Sequence, residues 1–240
     1  MLRRYHAAST KHNRAKALRQ ILRWLWECHG SPKLDDHVRR FAPPRPRNVC
    51  VTDEEKFRIL NAAPEHVRLW LLLCSDLAIR SGTAIELGPE HYDSKAQTLT
   101  FRTKCDERLT LPVTTEIAEM LKGCDPDSSQ SFVRQLWHRY HNAHHQTSRI
   151  TTGGKNCLQR IFRNLLLKLH IYRNLRPHDF RRTTAVAMLH ATGDIREVQA
   201  ILGHKNLQST FWYLDHELRP VQRKMLELIK TPNWRKEQSA

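Results

Sequence analysis

Residues 177–213 read PHDFRRTTAVAMLHATGDIREVQAILGHKNLQSTFWY, and the rest of the chain is best understood outward from them. The spacing predicts two helices, over 179–191 and 195–202, with Asp194 and Glu197 fitting a cap for the second. Leu202-Gly203-His204 is a helix stop in which glycine supplies the left-handed C-cap. His178 and Arg181 lie three residues apart at the start of the first helix, His178 just before it, His204 follows the stop, and Tyr213 comes nine residues later. Taken singly, none of these residues is decisive. An H-x-x-R pair is common on helix surfaces, and a tyrosine beside Phe211 and Trp212 is more often core than nucleophile.

Upstream, residues 65–78 are nearly all apolar along 69–73 and form a second predicted helix central to the core. It is preceded by Thr52-Asp53-Glu54-Glu55, a capping box for a helix running to Leu60. Arg80 follows the buried helix in Leu77-Ala78-Ile79-Arg80-Ser81-Gly82 and leads into a short helical piece ending near Leu87. Residues 97–103 and 108–113 alternate and pair as a β-hairpin whose tip carries Lys104. Further helices are expected over 10–29, 114–122, 130–145, 155–172 and 218–230. The fold class is therefore mainly α with a small antiparallel β-sheet, α+β overall. Ala42-Pro43-Pro44-Arg45-Pro46-Arg47 reads as a stiff basic linker. It separates residues 1–41 from a main domain over 51–230, with 42–50 as linker and 231–240 as a polar tail.

Composition narrows the function. The 40 Lys and Arg outnumber the 24 Asp and Glu, for a net charge of +16, which favours a polyanionic partner, nucleic acid first. The six cysteines, at 28, 50, 74, 105, 124 and 157, include no C-x-x-C pair, which argues against a zinc site or a disulfide framework and fits reduced thiols in a cytoplasm. The histidines at 138, 141, 144 and 145 have no Cys or carboxylate partner close in sequence and fit a basic helix better than a metal site. Nothing reads as a signal peptide, and no apolar run is long enough to span a bilayer.

Arg80, Lys104, His178-x-x-Arg181, Leu202-Gly203-His204 and Tyr213 occur in an order and at spacings that resemble the active site of the tyrosine recombinases, the phage integrase family. The resemblance covers about residues 50–230 and extends to the first helix, which is similar to the last helix of the family's N-terminal core-binding domain, the earlier helices of that domain being absent from this sequence. It implies Tyr213 as nucleophile, Lys104 as the acid for the departing 5′-oxygen, and His178 in proton exchange with Tyr213. Two positions depart from the family pattern. Ala78 stands where a glycine is usual, and Thr83 where an acidic residue is usual, so Arg80 is expected to be anchored without an ion pair at that position. By the same resemblance, the segment 218–230, with Val221, Met225, Leu228 and Ile229 at helical spacing, docks on a neighbouring copy and couples a homo-tetramer on DNA.

Physical chemistry supports the same set. Breaking a phosphodiester needs a nucleophile, a leaving-group acid and donors for the non-bridging oxygens. The guanidinium forks of Arg80 and Arg181 suit those oxygens, with His204 as a further donor. A phenol is a poor nucleophile when neutral, so a cationic pocket that favours its anion is required. No acidic metal-binding cluster accompanies the set, and no cofactor, metal or ATP is expected. Arg14, Arg19, Arg134, Arg139, Arg160, Arg163 and Lys168 belong to a basic band suited to backbone phosphates, a band that further includes His138, His141, Arg149, Lys155 and Arg173. The leading expectation is a site-specific recombinase acting on double-stranded DNA in the cytoplasm, at the nucleoid, of bacterial, phage or mobile-element origin. Topoisomerase-like relaxation and an inactive DNA-binding remnant are the alternatives.

Overall fold

The computed structural model describes residues 8–42, 49–103, 106–143, 155–207 and 210–211. Lys104, Tyr213, Arg149, the predicted helix over 218–230 and the tail over 231–240 lie outside the described residues. The chain divides into two compact units, Met1–Arg47 and Asn48–Ala240.

In the first unit, helix α1 (Ala8–His29) is followed by a 3-10 turn at Asp35–His37. Asp35 is buried, and its carboxylate accepts from Nε and Nη2 of Arg23 at 3.2 and 3.1 Å. His12 Nδ1 reaches the carbonyl of Phe41 at 2.7 Å, which ties the end of this unit back to its helix. Leu18, Ile21, Trp24 and Trp26 of α1 remain exposed.

The second unit is built around α3 (Glu65–Ser75), in which Val67 and every residue from 69 to 75 are buried. Around it pack α2 (Asp53–Ala62), α4 (Ser81–Glu86), α5 (Thr115–Lys122), α6 (Phe132–Ala143), α7 (Lys155–Lys168) and α8 (Pro177–Thr192); α9 (Ile195–Leu202) packs on α8. The capping box at the start of α2 forms as expected. Thr52 Oγ1 accepts from the Glu55 N–H at 3.1 Å, and the Glu55 carboxylate accepts from the Thr52 N–H at 3.0 Å. The expected hairpin is also present, as β2 (Thr98–Arg102) and β3 (Arg108–Pro112), antiparallel, with Thr100 opposite Thr110. A third strand, β1 (Tyr92–Asp93), adds to β2 and gives the order β1-β2-β3. Leu99, Phe101 and Leu111 turn one face of the sheet into the core, while the Thr100 and Thr110 hydroxyls meet at 2.9 Å on the other.

The helix expected over 65–78 ends at Ser75. Leu77, Ala78 and Ile79 stay buried, so the apolar run continues although the helix does not. Ala78 turns the chain with φ of 49°, in the left-handed region, and the Ile79 N–H closes the turn on the Leu73 carbonyl at 3.0 Å. The helix expected over 155–172 likewise stops at Lys168, with His170 at φ of 55°.

These backbone angles yield a stability contrast. Relief of left-handed strain, about 1–2 kcal/mol, offsets the entropy of a glycine and the loss of a buried methyl. Ala78→Gly is therefore expected to change the free energy of unfolding by less than about 1 kcal/mol. Ala185→Gly, buried in mid-α8, gains no such relief and should cost about 2 kcal/mol in urea titration.

Candidate active site

Arg80 is delivered by the turn that ends α3. Its backbone forms the N-cap position of α4, and its carbonyl accepts from the Ala84 N–H at 2.9 Å. The turn is tied to the core from both sides. Trp70 Nε1 donates to the Ser81 carbonyl at 2.9 Å, and the Thr184 hydroxyl of α8 donates to the Ser75 carbonyl. Arg80, Ser81, Gly82, Thr83 and Glu86 then line a cleft of about 540 Å³ together with Arg102, Thr103 and His178. Thr83 thus sits in the cleft beside Arg80, and a carboxylate, Glu86, comes one turn later on the same helix.

His178 and Arg181 come from the first turns of α8. Pro177 opens this helix at a position where a missing N–H costs nothing, and the Asp179 carboxylate accepts from the Arg176 N–H at 2.8 Å. Arg181 is buried, and its guanidinium donates to two carbonyls, those of Ala78 and of Leu202, the second at 2.7 Å. Its Nη2 also lies 3.4 Å from Nε2 of His204.

His204 is set by the end of α9. Gly203 adopts φ 55°, ψ 48°, its N–H bonds the Ala200 carbonyl at 3.0 Å, and the His204 N–H bonds the Gln199 carbonyl at 3.1 Å. That pattern is a Schellman motif, the stop read from Leu202-Gly203-His204. The Gln199 side chain then reaches forward and donates to the His204 carbonyl at 2.7 Å. Across the ring, Nδ1 of His204 lies 3.0 Å from the hydroxyl of Thr210, which is fully buried.

The four described members of the expected set, Arg80, His178, Arg181 and His204, therefore share one electrostatic environment. Burial, then the charges of Arg181 and Arg80, then His178 push His204 down to about 4. Burial and the same two arginines push His178 down to about 4 as well, with Asp179 opposing and Arg182 adding to the effect. His178 keeps an exposed edge in spite of this crowding. Both rings are thus neutral near pH 7, between fixed guanidinium charges.

The hairpin approaches the same place. A Cβ built on Gly203 would meet Thr103 Cγ2 at 2.7 Å, so the residue before Lys104 rests against the residue before His204. The backbone of Thr103 closes the hairpin turn, donating to the Glu107 carbonyl at 2.8 Å and accepting from the Asp106 N–H at 2.9 Å. Gln199, Thr103 and Thr210 had no signal in the sequence beyond being polar.

The basic band divides by use. Arg134 and Arg163 are exposed on α6 and α7, as is Arg14 on α1, whereas Arg19 Nε turns back to the Ala15 carbonyl at 3.4 Å. Arg160 and Lys168 line a separate cleft with His66, Trp137 and Tyr140. Arg139 donates to the Gly123 carbonyl and lies 4.0 Å from Glu65, and Arg173 holds Glu55 at 2.7 Å, while both side chains stay exposed. His141 stacks on Trp137, with ring centroids 3.8 Å apart. Among the described residues no group of three or more His, Cys, Asp or Glu is arranged to hold a metal ion, and no helix is long and apolar enough to cross a membrane.

Two measurements probe this geometry. Gly203→Ala should lose about 1–2 kcal/mol to left-handed strain alone, and more to the clash with the hairpin. Adding Thr103→Ser removes Cγ2 and should recover only the second part in a double-mutant cycle. Titration gives the other. His178 and His204 titrate at about 4 in the folded chain against an ordinary 6.5, so the unfolded state takes up protons first as pH falls. The stability that the neutral rings contribute is complete above about 6.5 and drains away down to about 4. The urea midpoint should fall over that window, and fall less steeply when both histidines are replaced by asparagine.

Tyrosine recombinase XerC of Serratia marcescens is 25% identical over 213 residues, covering 83% of this chain and 66% of that protein. XerC of Chromobacterium violaceum is 39% identical over 61 residues, 25% of this chain and 20% of that one. The chain thus spans less than two thirds of either relative. Among solved structures, the XerH site-specific recombinase bound to difH substrate shares the fold with a TM-score of 0.57 at 15% identity, over 86% of this chain and 62% of that one. Residues 50–219 match the model of the phage integrase family, and with most of the second unit inside that match, the chain belongs to this family.

Proposed function

We propose that the chain is a site-specific recombinase that cleaves and rejoins duplex DNA through a 3′-phosphotyrosine at Tyr213, without metal or ATP. The observation that carries the reading is the clustering of two guanidinium groups with two neutral imidazoles: Arg80 and His178 line one cleft, the charges of Arg80 and Arg181 both act on His178 and His204, and Arg181 lies 3.4 Å from His204. A scissile phosphate there would meet donors already in place, and charge that grows on its non-bridging oxygens would be met without reorganisation. Arg80 and Arg181 hold those oxygens and His204 adds a third donor. The same cations favour the phenolate of Tyr213, whose proton passes to His178. Tyr213 attacks phosphorus, the bond to the 5′-oxygen breaks, and Lys104 protonates the departing oxygen. The ester to Tyr213 conserves the energy of the broken bond, so the reverse attack by a 5′-hydroxyl reseals the strand.

Duplex DNA as the partner draws support from the net charge of +16 and from the exposed Arg14, Arg134 and Arg163. It draws further support from the fold shared with XerH, which was solved on its difH substrate. Docking of the segment 218–230 on a neighbouring copy, to give a tetramer on attachment-type sites, is carried over from the family by analogy, with Val221, Met225, Leu228 and Ile229 at helical spacing as the apolar face that would dock. The place of action on this reading is the bacterial cytoplasm, at the nucleoid.

Covalent trapping tests the reading. Incubated with nicked duplexes in EDTA and without ATP, then denatured in detergent, the wild-type chain is expected to carry DNA, and Tyr213→Phe to carry none. Arg181→Ala should lower adduct formation by roughly 100-fold or more at saturating DNA. An adduct that survives Tyr213→Phe would remove the proposed nucleophile, and DNA binding with no adduct at all would leave a binding protein. A strand-exchange assay with two duplexes then separates recombination from simple relaxation.

A further inference from the structure

We propose that Thr210 is the positioning residue of His204, a hydroxyl that lets Nε2 of the imidazole accept a hydrogen bond from Arg181 and donate one once a phosphate binds beside it. The inference rests on the phosphodiester reading above. It begins from the two contacts that bracket the ring, Thr210 Oγ1 at 3.0 Å from Nδ1 and Arg181 Nη2 at 3.4 Å from Nε2. A guanidinium can only donate. Nε2 therefore presents its lone pair to Arg181, and in a neutral ring the proton sits on Nδ1 and is given to Thr210. His204 is neutral near pH 7, so the tautomer matters.

That tautomer does not suit an anion. To touch a phosphate oxygen the ring must carry its proton on Nε2, which leaves Nδ1 bare and in need of a donor. A carbonyl or carboxylate beside Nδ1 could serve only the first state. A hydroxyl serves both, because it accepts from Nδ1–H and, after rotation about Cβ–Oγ1, donates to bare Nδ1. The change needs no net proton, since one leaves Nδ1 for solvent and one is taken up at Nε2. Thr210 is fully buried, so water cannot readily take its place. The ring's position is held separately, by the Schellman turn and by Gln199 on the His204 carbonyl. What Thr210 adds is the choice of tautomer.

Nitrogen-15 spectra of the histidine rings in the full chain read that choice directly, the His204 signals being those lost in His204→Gln. At pH 7 the wild type should show the Nδ1–H tautomer, and saturating inorganic phosphate should convert it to Nε2–H. Thr210→Ser should behave as the wild type, whereas Thr210→Val, of nearly equal shape, should not convert. In the trapping assay Thr210→Val should slow adduct formation roughly tenfold and Thr210→Ser by less than about twofold, the worth of one buried hydrogen bond, with DNA affinity unchanged in both. The proposal is overturned if the wild-type ring keeps one tautomer with and without phosphate. It is equally overturned if Thr210→Val matches the wild type, or if Thr210→Ser loses as much as Thr210→Val, since Thr210 would then only fill space. The spectra need no DNA and no Tyr213. A wild type that converts with phosphate but forms no adduct sinks the phosphotyrosine reading and leaves the role of Thr210 standing.

Discussion

Arg181 is the member on which the rest of the site depends. A buried guanidinium is costly unless its donors find acceptors, and here the carbonyls of Ala78 and Leu202 take one donor from each of its two terminal nitrogens and turn their negative ends toward its charge. Each is available because a helix has ended. The Leu202 carbonyl is in the last turn of α9, where it has no partner within the helix and carries the negative end of the helix dipole. The Ala78 carbonyl lies in the left-handed turn just past α3. One side chain therefore ties two chain reversals together. Arg80 leaves the first of them and His204 leaves the second, so the bond network that buries Arg181 also gathers the other two.

The electrostatic consequence follows from that arrangement. Arg80 and Arg181 both depress His178 and His204, and Asp179, whose carboxylate opposes them at His178, is engaged in capping the start of α8. Positive charge is thus concentrated against neutral rings, a state that an entering anion relieves. Preorganisation of this kind stabilises charge at the moment it develops, since the donors are already oriented by the fold. The cost is borne by the protein as lost stability at mildly acid pH, where the unfolded chain can charge its histidines and the folded one cannot.

Much of this was legible beforehand because it is local. The capping box at Thr52, the stop at Gly203 and the hairpin are written in short motifs whose physics does not depend on distant partners. Other features are not local. The apolar run through Ile79 continues past the end of α3, so periodicity could not mark the end at Ser75, which is set by the left-handed Ala78. Strand β1 has two residues, too few to alternate. Thr210 lies in a polar stretch and gains its meaning only by meeting His204 in space. Nor does composition show that the exposed Arg139 and Arg173 also hold Gly123 and Glu55.

Burial separates two uses of positive charge in one chain. Exposed residues such as Arg134 and Arg163 present their charges to solvent, and such charges attract a polyanion at a distance that salt shortens. Arg181 is buried, so its charge is screened little by salt but carries no comparable long-range pull. The first kind can raise affinity without regard to where a phosphate sits. The second can act only on a phosphate already seated, and it acts there because Ala78, Leu202 and His204 fix its direction. Attraction and chemistry are therefore assigned to different arginines, and it is the geometry of chain reversals, not the total charge, that turns a basic domain into a site.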